Sequence, residues 1–237
     1  YIPSITNAFF ETMSGFSSTG ATILNDIEKL PHGLLFWRSM TQWIGGLGIV
    51  FFTIAVLPIF GVGGIQVFAA EASGPTHDKV HPRIGITAKW IWGIYAGLTG
   101  TLIILLMFGG MNIFDSICHA FATTSTGGFS TKQASIEYYH SPYIEYVISI
   151  FMFISGINFT LLLLFVNGKL KKFVHDAELK WYFWSVTGFT IVIAAILYYN
   201  SSMGVEEAFR KSLFQVASLH TSTGFATADY MTWPAIT

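Results

Sequence analysis

The chain has 237 residues and a net charge of −1; 52% of it is hydrophobic, 16% aromatic and only 11% charged. Soluble domains carry about 25% charged residues, so this composition leaves too few polar groups to cover a soluble surface, and no basic tract points to nucleic acid. Cys118 is the only cysteine, which excludes an internal disulfide. No Asp, Glu, Lys or Arg occurs in 39–70, 90–114, 146–168 or 181–205. Each window exceeds the ~20 residues that cross a hydrocarbon core of about 30 Å. The expectation is an all-α polytopic membrane protein.

In chain order, a short apolar piece at 4–16 precedes a span at about 35–60, and a second span follows at 89–108. A short piece at 112–123 leads to spans at 143–166 and 181–200, and a last short piece covers 205–220. Ser141-Pro142 supplies an N-cap and a first-turn proline for the third span. The three short pieces are about 16–24 Å long at 1.5 Å per residue, too short for a full crossing. Each runs straight into the same polar triplet: Ser18-Thr19-Gly20, Ser125-Thr126-Gly127 and Ser222-Thr223-Gly224. A short helix followed by a polar loop at membrane depth reads as a re-entrant segment, tolerated where protein or a wet cavity satisfies the backbone.

The repeating unit is helix, pore helix with loop, helix. On that reading 1–60 is the second half of a first repeat, 61–88 a cytoplasmic connection, and 89–166 a complete second repeat. A further connection at 167–180 leads to the first part of a third repeat, 181–237, with another span starting near Trp233-Pro234. Both ends read as cut from something longer. The connections on one side carry seven of the twelve Lys and Arg residues, Lys79, Arg83, Lys89, Lys169, Lys171, Lys172 and Lys180. That bias places them in the cytoplasm. Nine of thirteen acids lie on the loop side, where they help to attract cations.

A monovalent cation sheds its water in a narrow pore, and carbonyl rings aided by hydroxyls replace it. The Ser and Thr residues of the triplets offer such oxygens, and Gly20, Gly127 and Gly224 would permit positive φ. No carboxylate occurs in the triplets, which suits a monovalent ion better than a divalent one. Each short helix would aim its partially negative C-terminus at the axis. Taken singly, each triplet is better explained by close helix packing; three in the same relation to a too-short helix favour a pore.

The segment WRSMTQWIGGLGI at 37–49, HAFATTSTGGFSTKQAS at 119–135, and GGIQVFAAEASGP followed by HPRIGITAK in the first connection carry a resemblance. Together they resemble the membrane subunit of the Trk/Ktr/HKT potassium-transporter superfamily, the Trk type more than the Ktr type. The resemblance covers essentially the whole chain. It implies four helix–pore-helix–helix repeats around a pore like that of a tetrameric potassium channel. Gly20, Gly127 and Gly224 then match the filter glycines of repeats one to three, and the Ser-Thr pairs before them match K+-coordinating positions. It also implies K+ uptake across a bacterial inner membrane, a homodimer, and a cytosolic nucleotide-binding regulatory subunit of the Trk A type. The first helix of repeat one, the last helix of repeat three and all of repeat four fall outside this chain, so three loops alone should not conduct. The alternative is a Na+- or H+-coupled symporter with the loops as gates, although its inverted repeats are not seen here. A membrane enzyme lacks any charged or nucleophilic cluster, and no organic cofactor is expected.

Other residues carry weaker signals. His77 and His81 flank Asp78 at a spacing that could seat a metal, but Pro82 follows and no third ligand is near. The lysines at 169, 171 and 172 could contact lipid headgroups or simply obey the positive-inside rule. Gly45-Gly46-x-Gly48 reads as close helix packing, with a kink or gap as the functional alternative. His119 and His220 are expected to be neutral and hydrogen-bonded behind the filter, with pH sensing as the alternative. Glu11 is a carboxylate at membrane depth that either holds its loop by hydrogen bonds or faces the outer vestibule.

Overall fold

The computed structural model describes residues 4–55, 84–201 and 203–228, with Ile2 and Trp233; of helical residues 49–55 and 84–88 only the backbone is described. Among the described residues the secondary structure is entirely helical. The α-helices are α1 (Ile5–Phe16), α2 (His32–Ala55), α3 (Ile84–Phe108), α4 (Ile113–Thr124), α5 (Pro142–Ser155), α6 (Phe159–Val166), α7 (Leu170–His175), α8 (Ala177–Asn200) and α9 (Val205–His220). Short 3-10 turns at Ile27–Lys29 and Ser135–Tyr139 follow the first two loops. The end of the first span beyond residue 55, the first connection with His77 and His81, and Pro234 lie outside the described residues.

Local chemistry explains the boundaries. α3 ends at Gly109-Gly110, where Gly110 takes φ +88° and the Met111 N–H bonds back to the Leu106 carbonyl at 3.2 Å. That left-handed glycine closes the helix without a Cβ penalty. Asn112 then caps α4, its side chain accepting from the Asp115 N–H at 2.8 Å. Ser141 and Pro142 open α5 as expected from sequence, and Asp176 caps α8 through the N–H groups of Glu178 and Leu179.

Helices Lys89–Phe108 and Ala177–Asn200 are long and apolar enough to cross a membrane. The span expected at 143–166 is not one continuous helix: α5 and α6 meet at a bend of 101°. Gly156, Ile157 and Asn158 form the break, and Asn158 caps the second half by accepting from the Thr160 N–H at 2.9 Å. Hydropathy treats the whole stretch as one apolar run and cannot register a change of backbone direction. The Phe153 carbonyl, released at the bend, accepts from the Tyr182 hydroxyl of α8 at 3.0 Å.

The main core surrounds α4. Leu102 and Leu106 of α3, Ile144, Ile148 and Met152 of α5, and Phe214 of α9 enclose Ala120 and Ala122. Small residues on α4 let its neighbours approach closely. α1 lies on α2, while α9 is held between α5 and α8. The three short helices α1, α4 and α9 thus sit inside a scaffold of longer ones, and all three deliver their C-termini to the same place.

Candidate functional site: three converging loops

The backbone leaving each short helix is built in the same way. Two residues beyond each last helical residue stands a left-handed, non-glycine residue: Ser18 (φ 52°), Thr126 (φ 52°) and Ser222 (φ 57°). Their N–H groups bond to the carbonyls of Gly15, Thr123 and Leu219 at 3.0–3.1 Å. The next N–H, of Thr19, Gly127 and Thr223, reaches the carbonyl five residues back at 2.8–3.0 Å. This pair of bonds is a Schellman motif, whose left-handed position is usually glycine. A side chain there costs about 1–2 kcal/mol, and strain of that kind gathers at functional sites. All three loops bear it on a hydroxyl residue.

This register corrects one sequence expectation. The written triplet begins two residues after the helix end in the outer loops but one residue after it in the middle loop. Structurally Ser18, Thr126 and Ser222 correspond; so do Thr19, Gly127 and Thr223; so do Gly20, Gly128 and Gly224. The positive φ expected at Gly127 belongs to Gly128 (+75°), alongside Gly20 (+78°) and Gly224 (+80°). The doubled glycine made the shift invisible in the text of the sequence. Ser125 takes the helix-capping position that Ser17 and Thr221 occupy elsewhere.

The loops meet wall to wall. A Cβ on Gly20 would run into the Gly127 carbonyl oxygen and lie 3.7 Å from the Thr223 carbonyl oxygen. A Cβ on Gly128 would run into the Thr223 carbonyl oxygen, while Gly224 has nothing within 4 Å among the described residues. The glycine of one loop therefore lies against the carbonyl of the next, and the close approach leaves no room for a side chain. Outside the loops, successive segments are stitched together. The Ile27 N–H donates to Gln133 Oε1 at 3.3 Å, and the Glu137 N–H donates to the Ala226 carbonyl at 3.2 Å.

Behind each loop stands a buried polar residue five positions before the helix end: Glu11, His119 and Gln215. Glu11 accepts from the Thr22 hydroxyl at 2.9 Å and the Ile23 N–H at 3.1 Å, so it holds its loop rather than facing a vestibule. Arg38 of α2 completes the arrangement, with Nη2 2.8 Å and Nε 3.0 Å from Glu11 Oε1. His119 has Nδ1 2.8 Å from the Asp115 carbonyl and Nε2 2.9 Å from Ser130 Oγ. A carbonyl only accepts, so Nδ1 carries hydrogen, an arrangement that suits a neutral ring receiving the serine proton at Nε2. His220 differs: it is exposed, stacks on Tyr182 at 5.4 Å and meets Ser185 Oγ at 3.2 Å, beside the loop rather than behind it.

The glycines of α2 serve close packing. A Cβ on Gly45 would strike the Phe16 carbonyl, and one on Gly46 would lie 2.8 Å from Ser125 Cβ. Together they form a seat for the ends of α1 and α4. Arg38, Gln42 and the Gly45-Gly46 pair, all on α2, therefore touch two loops at once. Sequence reading missed Arg38 and Gln42; an arginine and a glutamine within a span next to a glycine pair were the available signal.

The family described as TrkH, cation transport protein, matches residues 2–237. The chain is 44% identical over 240 residues to the Trk system potassium uptake protein TrkH of Escherichia coli strain K12, covering 98% of this chain and 48% of that protein. It is 36% identical to the Trk system potassium uptake protein TrkG of the same strain, with 98% and 48% covered. The crystal structure of the potassium transporter TrkH from Vibrio parahaemolyticus superposes with a TM-score of 0.81 at 36% identity, over 98% of this chain and 47% of that one. The chain spans about half the length of these relatives.

Proposed function

The chain belongs to the TrkH family of cation transport proteins, and on that premise we propose that its three loops are three walls of a four-walled K+ filter. In this reading the oxygens of Ser18-Thr19-Gly20, Ser125-Thr126-Gly127 and Ser222-Thr223-Gly224 replace the hydration shell of K+ during uptake, and Gly128 belongs to the same site. The observation that carries the reading is the contact of one loop's left-handed glycine with the next loop's carbonyl, at Gly20 and again at Gly128. Left-handed hydroxyl residues at Ser18, Thr126 and Ser222 support it, because strain retained three times on the same chemistry calls for a use. Loops free of carboxylates favour a monovalent ion.

The division into repeats at 1–60, 89–166 and 181–237, joined by connections at 61–88 and 167–180, follows from this reading. The full protein would be a multi-pass K+ uptake subunit of a bacterial inner membrane. It would act as a homodimer beside a cytosolic nucleotide-binding regulatory subunit of the Trk A type.

The test is K+ uptake by the full-length protein in a strain lacking its own K+ uptake systems. Gly20→Ala and Gly128→Ala should each abolish uptake or K+/Na+ preference while membrane level is maintained. Wild-type uptake and preference in both variants would remove the filter assignment.

A further inference from the structure

The middle loop lacks the internal hydroxyl bonds that brace the other two. In loop one the Ser14 hydroxyl donates to the Ala21 carbonyl at 2.6 Å, and in loop three Ser218 does the same for Phe225 at 2.7 Å. In those loops the hydroxyls of Thr19 and Thr223 also meet those of Ser17 and Thr221 at 2.8 and 2.7 Å. The corresponding residues of the middle loop are Ala122 and Gly127, which have no hydroxyl.

Gln42, fully buried on α2, fills that place. Its Nε2 donates to the Gly127 carbonyl at 2.6 Å, and its Oε1 accepts from the Phe129 N–H at 3.1 Å. The orientation of the amide is unambiguous, because a carbonyl only accepts and an N–H only donates. Its Nε2 would lie 2.7 Å from a Cβ on Gly127. Gly127 has an ordinary φ, so its lack of a side chain makes room for Gln42 rather than for an unusual backbone. One turn away on the same helix, Arg38 covers the Phe129 ring at 4.1 Å. The Gly127 carbonyl that Gln42 holds is the one against which Gly20 of the first loop rests.

We propose that Gln42 is a positioning residue that determines ion specificity: it sets the Gly127 carbonyl and, through it, the spacing of the first and second walls. The proposal rests on the filter reading above. Its sharpest consequence is an exchange. Gln42→Ala combined with Gly127→Thr should rebuild the threonine-to-capping-hydroxyl contact seen in loops one and three, with Ser125 supplying the partner hydroxyl.

The experiment measures initial K+ and Na+ uptake, with membrane level, in the full-length protein. Gln42→Ala should lower K+/Na+ discrimination about tenfold, the scale of one lost hydrogen bond to a buried acceptor, at an unchanged membrane level. Gln42→Leu, which keeps most of the side-chain bulk but has neither the donor for Gly127 nor the acceptor for Phe129, should do the same. Gly127→Thr alone should lose uptake, and Gln42→Ala combined with Gly127→Thr should regain both uptake and discrimination. A wild type without K+ preference removes the filter reading and this proposal with it. A selective wild type whose Gln42 variants keep full discrimination overturns the proposal alone. If the single Gln42 variants do not reach the membrane, the double variant decides. Recovery of membrane level and discrimination supports the exchange, and a double variant whose discrimination does not return overturns the proposal.

Discussion

Replacing Arg38 by methionine isolates the energetics behind the first loop. The side chain of Arg38 is 8% exposed and that of Glu11 6%, so the pair lies out of water. Removing one partner of such a pair typically costs about 3–5 kcal/mol, because the other charge remains buried without compensation. Glu11 would keep the Thr22 hydroxyl and the Ile23 N–H, which places the loss toward the lower end of that range. The contact of the guanidinium with the Phe129 ring adds back about 0.5–1 kcal/mol. Arg38→Met should therefore destabilise the protein by about 3–4 kcal/mol, which is on the order of 10 °C in Tm at about 2–4 °C per kcal/mol. Thermal unfolding in detergent measures this. Glu11→Gln combined with Arg38→Met removes both charges but keeps an acceptor for Ile23, so it should recover about 2 kcal/mol of the loss. A single variant within about 1 kcal/mol of wild type, or a double variant no better than the single, would refute the reasoning.

Two further outcomes follow from the outer bundle. Arg210 pairs with Glu145, whose side chain is 7% exposed, and with Glu206, whose side chain is 61% exposed, so the two should behave unequally. Glu145→Ala should cost about 3–5 kcal/mol and Glu206→Ala no more than about 1 kcal/mol in the same unfolding assay; equal losses would contradict the burial argument. Tyr182→Phe removes the only donor described for the Phe153 carbonyl at the α5–α6 bend, and should cost about 1–3 kcal/mol. Faster amide hydrogen exchange around residues 153–160 would locate that loss at the bend.

Much of the architecture was legible in the sequence. Charge-free windows located the spans at 89–108 and 181–200, and the too-short apolar pieces at 4–16, 112–123 and 205–220 are α1, α4 and α9 within a few residues. Capping at Ser141-Pro142 was readable because it is local chemistry. Three features were not readable. The bend at Gly156 is hidden in a window-averaged hydropathy, because the apolar residues on both sides outweigh Gly156 and Asn158. The register of the middle loop depends on where α4 ends, and a Ser-Thr-Gly-Gly string offers two alignments. The partners of Glu11 and Gly127 are far away in sequence, at Arg38 and Gln42, and no local pattern announces contacts over such distances.

The three walls share a backbone but not a chemistry behind it. At the position five residues before the helix end, the first wall uses a carboxylate paired with Arg38, the second a histidine bonded to Ser130, and the third a buried glutamine. In front of that position, loops one and three brace themselves with their own hydroxyls, whereas the middle loop borrows an amide from α2. Identical backbone geometry reached by unequal means implies that the backbone is the shared requirement and the supports are interchangeable solutions to it. The same substitution made in different loops should then have unequal effects. Removing the hydroxyl of Ser14 or Ser218 disturbs a bond inside one loop. Removing the amide of Gln42 disturbs a bond between a scaffold helix and a loop whose carbonyl also borders its neighbour. The middle loop, tied to α2 on one side and to the first and third loops on the others, is where a change in the scaffold reaches the loop cluster most directly.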